Sequence, residues 1–301
     1  MPLLEHRFKG MGSPCEIRIE APERSFAESA ARLAVAEVER LEARYSRYRE
    51  SSLLSEINRV AARGGSIEVD DETAGLLDYA EACWRQSDGL FDVTSGLLRR
   101  AWRFDGGRIP EAAQVEALLG RIGWQKLAWR RPRLSFDARD MELDLGGVVK
   151  EYAADRIAAL CLEAGVRHGL VNLGGDVRVI GARRDGTAWR IGIRDPRRPG
   201  QLIHTVSLQS GALASSGDYE RCIEIDGVRH GHVLSPRTGW PVRTLASVSV
   251  VADLCVVAGS SATIALLRES DGPSWLAEMG LPHLYVDVQG RVGGSLSAAR
   301  R

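Results

Sequence analysis

The sequence has no excess charge of either sign. Its 40 Lys and Arg are matched by 40 Asp and Glu, for a formal net charge of +0. No whole-chain field therefore recruits nucleic acid or an anionic membrane, and any charged partner must be met locally. Cysteine is also sparse: Cys15, Cys83, Cys161, Cys222 and Cys255 are odd in number, far apart and mostly set among apolar neighbours. That pattern argues against a disulfide framework and for reduced, structural thiols. Nowhere does the chain approach the roughly 20 continuous apolar residues of a membrane span. The opening stretch "MPLLEHRFKGMGSPCEIRIE" lacks a signal-peptide core, and no apolar run precedes Cys15 to suggest lipid anchoring. A soluble, cytoplasmic protein is the expectation. Aromatics make up only 6% of residues, so the basic stretch "RRPRLSFDARD" at 130–140 reads as a solvated loop or hairpin, not a nucleic-acid patch. The chain also lacks GxGxxG, GxxxxGK[ST] and GxSxG, which removes the usual signatures of a Rossmann fold, a P-loop and a nucleophile elbow.

What the chain does have is 44% hydrophobic residues over 301 positions, enough for a substantial core in one domain, 1–301, or two intimately packed subdomains. "CEIRIEA" alternates apolar and charged residues as a half-wet strand does. From about Ser25 to Arg44, Phe26, Ala30, Leu33, Ala34, Val38 and Leu41 recur at helical spacing. Further helices are expected over Asp71 to Ser87, Val148 to Ala164 and Val256 to Leu267. The second half is otherwise short alternating strands: "GLVNLG", "DVRVIG", "AWRIGIRD", "IHTVSLQ", "ERCIEIDG", "ASVSVVA" and "HLYVDV". Without regular βαβ alternation, this mixture predicts an α+β fold of largely antiparallel sheets packed with helices.

Several stretches can carry chemistry. "SDGLFDVTSGLL" at 87–98 places an aromatic, a carboxylate and small hydroxyls in one loop, or is only a helix-ending turn. In "LDLGGVVKEYAAD" two glycines sit where a strand becomes a helix, which frees backbone N–H groups for a ligand, and Lys150 follows about one turn inside. Asp144 there either faces the ligand or caps the helix. "NLGGDVRVIG" places Gly-Gly-Asp between two strands. His230 and His232, two residues apart, would share a strand face, but no third histidine lies near enough in sequence to suggest zinc. "VVAGSSATIALL" opens the last main helix with small residues, which is either packing or a site for the Thr263 hydroxyl.

Taken in order, these stretches resemble the ApbE-like family of FAD:protein FMN transferases. The carriers are "MGS" at 11–13, "SRYRESSLLSEIN" at 46–58, "GLFDVT" at 89–94, "DLGGVVK" at 144–150, "NLGGD" at 172–176, "SSGDY" at 215–219, "HVLSPRTGWP" at 232–241 and "AGSSAT" at 258–263. The resemblance implies an ApbE-like, T-fold-like architecture. It also implies a magnesium-dependent transfer in which a Thr or Ser hydroxyl of a flavin-accepting protein attacks FAD, retains FMN through a phosphoester and releases AMP. By position in the motifs, Met11, Tyr48, Leu90, Phe91, Asp92, Asp144, Lys150 and Val233 would line the FAD site. Gly147 and Gly259 would offer backbone carbonyls to Mg2+, Thr263 its hydroxyl, and Thr263 and His232 would be catalytic.

Three positions depart from the family pattern. The metal-binding Asp of the last motif is Gly259, the Asp before Pro in the His loop is Ser235, and the usual Lys-Gly pair is Lys150-Glu151. Glu151, Asp92, Asp176 and Asp218 are the candidates to replace the missing charge, and restoring Asp at 259 is expected to tighten magnesium binding. Two rival readings remain at this level: a relative that binds FAD without transferring FMN, and an unrelated hydrolase using Ser216 and His232.

Overall fold

The computed structural model describes residues 3–104, 108–219 and 221–297. Strands β1 (Leu3–Gly10) and β2 (Ser13–Glu20) form a hairpin turned at Met11 and Gly12, whose φ angles of 50° and 72° suit a two-residue loop that follows the strand twist. Helix α1 (Arg24–Tyr45) follows, with Ala27, Ala30, Ala31, Ala34, Val38 and Leu41 buried, so an apolar stripe faces inward. Of the residues expected on it, Phe26 is half-buried and Leu33 is exposed, because the buried stripe runs through Ala27 and Ala31 instead. Then come α2 (Leu53–Arg63), β3 (Gly65–Glu68) and α3 (Asp71–Gln86), whose N-cap Asp70 accepts a hydrogen bond from the Thr73 N–H at 2.9 Å. A 3₁₀ helix (Val93–Arg100), α4 (Ala112–Leu119) and the hairpin of β4 (Leu127–Arg130) and β5 (Arg133–Phe136) complete the first half. The basic stretch at 130–140 is thus largely the turn and second strand of a hairpin.

Helix α5 (Val149–Glu163) leads into β6 (Gly169–Leu173), β7 (Asp176–Gly181), β8 (Trp189–Arg194), β9 (Leu202–Leu208), β10 (Ala212–Gly217), β11 (Cys222–Ile225), β12 (Val228–Gly231) and β13 (Leu245–Ala252). Helices α6 (Cys255–Leu267) and α7 (Gly272–Glu278) precede β14 (His283–Asp287) and β15 (Val292–Gly293). The main sheet has eight strands in the order β1-β2-β6-β7-β10-β13-β14-β15, with every neighbouring pair antiparallel.

Alternation sends successive residues to opposite faces. Val171, Leu173, Ala212, Ala214, Val248 and Val250 join the core beneath α1, α5 and α6. Leu170, Val177, Val179 and Leu213 turn the other way, where Trp189, Ile191, Ile193 and Val206 of the β8–β9 hairpin cover them. Helix α6 is buried on nearly all sides, which explains its small, almost wholly apolar sequence. The α+β reading therefore holds. Strand β10, "ALASSG", has few strand-forming residues, yet β7 and β13 pair with it on both sides, so its neighbours override its propensity. Among the described residues, no helix is long and apolar enough to cross a membrane.

Candidate functional site

The chemistry-bearing motifs gather at one end of the main sheet. The Met11–Gly12 turn lies there, and its Met11 N–H donates to Glu42 Oε2 at 2.7 Å. Beside it is the β6–β7 turn, where Gly174 sits against Ser13 and near the Lys150 ammonium. Lys150 Nζ pairs with Asp176 Oδ2 at 2.6 Å, and Asp176 Oδ1 accepts from the Ser215 N–H at 3.1 Å. Motifs far apart in sequence thus meet because their turns cap adjacent strands.

The "GLFDVT" turn packs against the same end. Asp92 is buried, and its two oxygens accept from the N–H and hydroxyl of Thr94, at 2.8 and 2.6 Å, and from the Trp124 N–H at 2.9 Å. Its charge is spent organising the loop. Leu90 and Phe91 are buried as well, with the Phe91 ring against Gly147, so they shape the floor beneath the start of α5. Tyr48 stands at the rim, 75% exposed, with the Arg47 guanidinium over its ring at 5.0 Å.

Asp144 does not cap α5. That helix begins at Val149 and its N-cap, Val148, offers no side-chain cap, whereas Asp144 Oδ1 takes the Gly146 N–H at 2.9 Å. Its other oxygen pairs with Arg47 and with Arg99 Nη1, the latter at 3.5 Å. Gly96 has no side chain because one would run into Asp144. The neighbouring Glu142 is buried, pairs with Arg99 and Arg100, and has its carboxyl pushed up chiefly by burial. This arginine-rich network was not expected from sequence, although Arg47 lies within the quoted "SRYR".

The His loop closes through Val242 N–H to the Val233 carbonyl at 3.1 Å and Gly239 N–H to the Ser235 carbonyl at 2.7 Å. Val233 is half-buried against the core, and Arg237 Nη2 ties the loop to the Asp88 carbonyl at 2.7 Å. His232 follows the end of β12. Its Nδ1 is buried without a hydrogen-bond partner, and burial, helped by Arg221, lowers its pKa. Asp218, which also acts on His232, gives both oxygens to Arg197 at 2.6 and 2.7 Å. His230 packs on the Trp102 ring at 5.8 Å instead of joining a metal pair.

Helices α5 and α6 supply the remaining groups. Asp155 accepts from the Cys255 and Val256 N–H groups, both at 2.9 Å, so α5 caps the start of α6. One turn back along α5, Glu151 meets α6 one turn further on, at Gly259. A Cβ added to Gly259 would lie 2.5 Å from Glu151 Cγ and 3.0 Å from its Cδ and Oε1. Glu151 is 8% exposed and its Oε2 has no hydrogen-bond partner. Burial pushes its carboxyl up to about 7, against the downward pull of Lys150. This corrects the expectation for an Asp at 259, because the place its side chain would enter is filled by Glu151. Thr263 is half-buried one turn beyond Gly259 on the same face of α6. Among the described residues, no group of three or more His, Cys, Asp and Glu is gathered as a metal cage.

The sequence profile of the ApbE family matches residues 11–285. The chain belongs to the ApbE family. It is 36% identical over 237 residues to a Rhodobacter capsulatus protein named FAD:protein FMN transferase, covering 76% of this chain and 45% of that one. This ApbE protein therefore spans less than half of that relative's length. A Klebsiella pneumoniae protein of the same name is 32% identical over 247 residues, covering 80% of this chain and 75% of its own. Among solved structures, the ApbE protein of Thermotoga maritima superposes with a TM-score of 0.90 at 30% identity over 99% of this chain and 98% of that one. The flavin transferase ApbE from Vibrio cholerae gives 0.87 at 25% identity over 98% of each.

Proposed function

We propose that this protein is a magnesium-dependent FAD:protein FMN transferase. It would attach FMN through a phosphoester to a Thr or Ser of an acceptor protein and release AMP. The observation that carries the reading is the juxtaposition at one sheet end of Lys150, an uncapped start of α5, Glu151 and a neutral His232 with a free ring nitrogen. The names of the similar proteins support it.

The residues present suit a hard divalent cation. Glu151 offers an unpartnered oxygen, Thr263 a hydroxyl and Gly147 a carbonyl, and a Mg2+ ion commonly completes a set of one or two carboxylates with substrate phosphates and water. Bound there, the ion would neutralise charge on the pyrophosphate. The chain's own groups do the rest. Lys150 and the N–H groups opening α5 receive phosphate oxygens. Met11, Tyr48, the Leu90–Phe91–Asp92 turn, Asp144 and Val233 bound the nucleotide. His232 takes the acceptor hydroxyl proton as its oxygen bonds to the FMN phosphorus; the bond from that phosphorus to the bridging oxygen breaks, and AMP departs with the electron pair.

The test is incubation with FAD, Mg2+ and an acceptor domain bearing the target Thr, read by intact mass. A gain of one FMN on the acceptor is expected. Tight FAD binding with no gain would favour a binder that does not transfer, and no FAD binding would remove the reading altogether.

A further inference from the structure

Sequence alone leaves four carboxylates as replacements for the one missing at 259, and the structure separates them. Asp92 spends both oxygens on the Thr94 and Trp124 donors. Asp218 is held in a two-pronged pair with Arg197. Asp176 is divided between Lys150 and the Ser215 N–H. Asp176 Oδ2 and Glu151 Oε2 are both buried without a hydrogen-bond partner, but Asp176 Oδ2 is ion-paired with Lys150 Nζ at 2.6 Å. That leaves Glu151 as the one of the four with an oxygen satisfied by neither kind of contact among the described residues. An orphaned carboxylate oxygen inside a protein is costly unless something else satisfies it.

The two departures in sequence also fit together in space. Where the family pattern has Gly after Lys on one helix and Asp on the other, this chain has Glu151 on α5 and Gly259 on α6. The Glu151 side chain lies where a residue at 259 would place its own Cβ. We propose that the carboxylate of the cation site has been transposed between the two helices, so that Glu151 provides from α5 what an Asp would provide from α6, beside Thr263 and the Gly147 carbonyl.

The helix register supports the grouping. Asp155 meets residues 255 and 256, and Glu151 meets 259, so the helices pair in opposite directions, one turn for one turn. Carried one turn further, that register would bring Thr263 toward the turn that precedes α5, which holds Gly146 and Gly147. With one protein carboxylate in the set, much of the cation's coordination falls to substrate phosphate. Cation affinity is therefore expected to be weak without FAD and to rise when FAD is bound.

This inference rests on the transferase reading, and the experiment separates the two. Mg2+ is titrated calorimetrically, and Mn2+ by its paramagnetic resonance signal, into FAD-saturated protein without acceptor. In Glu151→Gln, nearly isosteric, the cation affinity should fall about tenfold or more while the FAD affinity stays within about threefold. In Glu151→Gly the affinity should fall likewise, and adding Gly259→Asp in that background should restore it. Unchanged cation affinity in Glu151→Gln and Glu151→Gly would overturn the transposition and leave the transferase reading standing. Failure of the unmodified protein to bind FAD would overturn both.

Discussion

Replacing Gly259 by Ala probes the contact between α5 and α6 with no ligand present. In an ordinary helix interior this change is worth about 1 kcal/mol in favour of Ala. Here the new methyl would sit 2.5 Å from Glu151 Cγ and 3.0 Å from its Cδ and Oε1. Overpacking of that kind costs about 1–3 kcal/mol, so the net effect is a loss of up to about 2 kcal/mol. In a Glu151→Ala background all three clashing atoms are gone, and Gly259→Ala should then stabilise by close to the full helix gain of about 1 kcal/mol. The two substitutions therefore couple by about 1–3 kcal/mol, well above the roughly 0.5 kcal/mol scatter of independent sites. The measurement is urea unfolding of the four proteins in EDTA. Additive effects, or a Gly259→Ala protein that gains the full helix increment with Glu151 in place, would show that the two positions do not share this space.

Thr263→Ala should lower FMN transfer at least tenfold and leave FAD affinity within about threefold, since its proposed place is at the cation; equal loss of both in a binding titration would make Thr263 merely structural. His232→Asn should reduce kcat by about 10²–10⁴ with little change in FAD affinity, if the ring takes the acceptor's proton. Because burial and Arg221 lower the pKa of His232, with Lys150 and Asp218 also bearing on it, the unfolded chain binds the proton more readily. Its contribution to stability is then complete above about pH 6.5 and is lost as the pH falls below that value, and transfer should fall over the same acidic range. An acidic limb of the rate profile that persists unaltered in His232→Asn would refute the assignment. Asp92→Ala should cost about 2–4 kcal/mol in thermal or urea unfolding, because it strands buried donors of Thr94 and Trp124; a loss under about 1 kcal/mol would mean that the loop is held by other contacts.

The parts of the fold that could be read from sequence were those with a repeating physical signal. Most of the α1 stripe, the extent of α3 and the alternation of β2 each lie within one continuous stretch, so local period and helix-boundary chemistry were enough to find them. Strand β10 escaped because its residues are small and its pairing is supplied by neighbours distant in sequence. The site divides the same way. Motif order pointed to Lys150, His232 and Thr263 as candidates, but motif order treats each position separately and so read Gly259 as a loss. The gain at Glu151 lies on another helix, and only the packing of α5 on α6 shows that the two changes occupy one volume. A missing carboxylate in one motif and an extra one in another have opposite meanings when taken singly. Brought into contact, they leave the number of carboxyl groups unchanged and move only the helix that carries one.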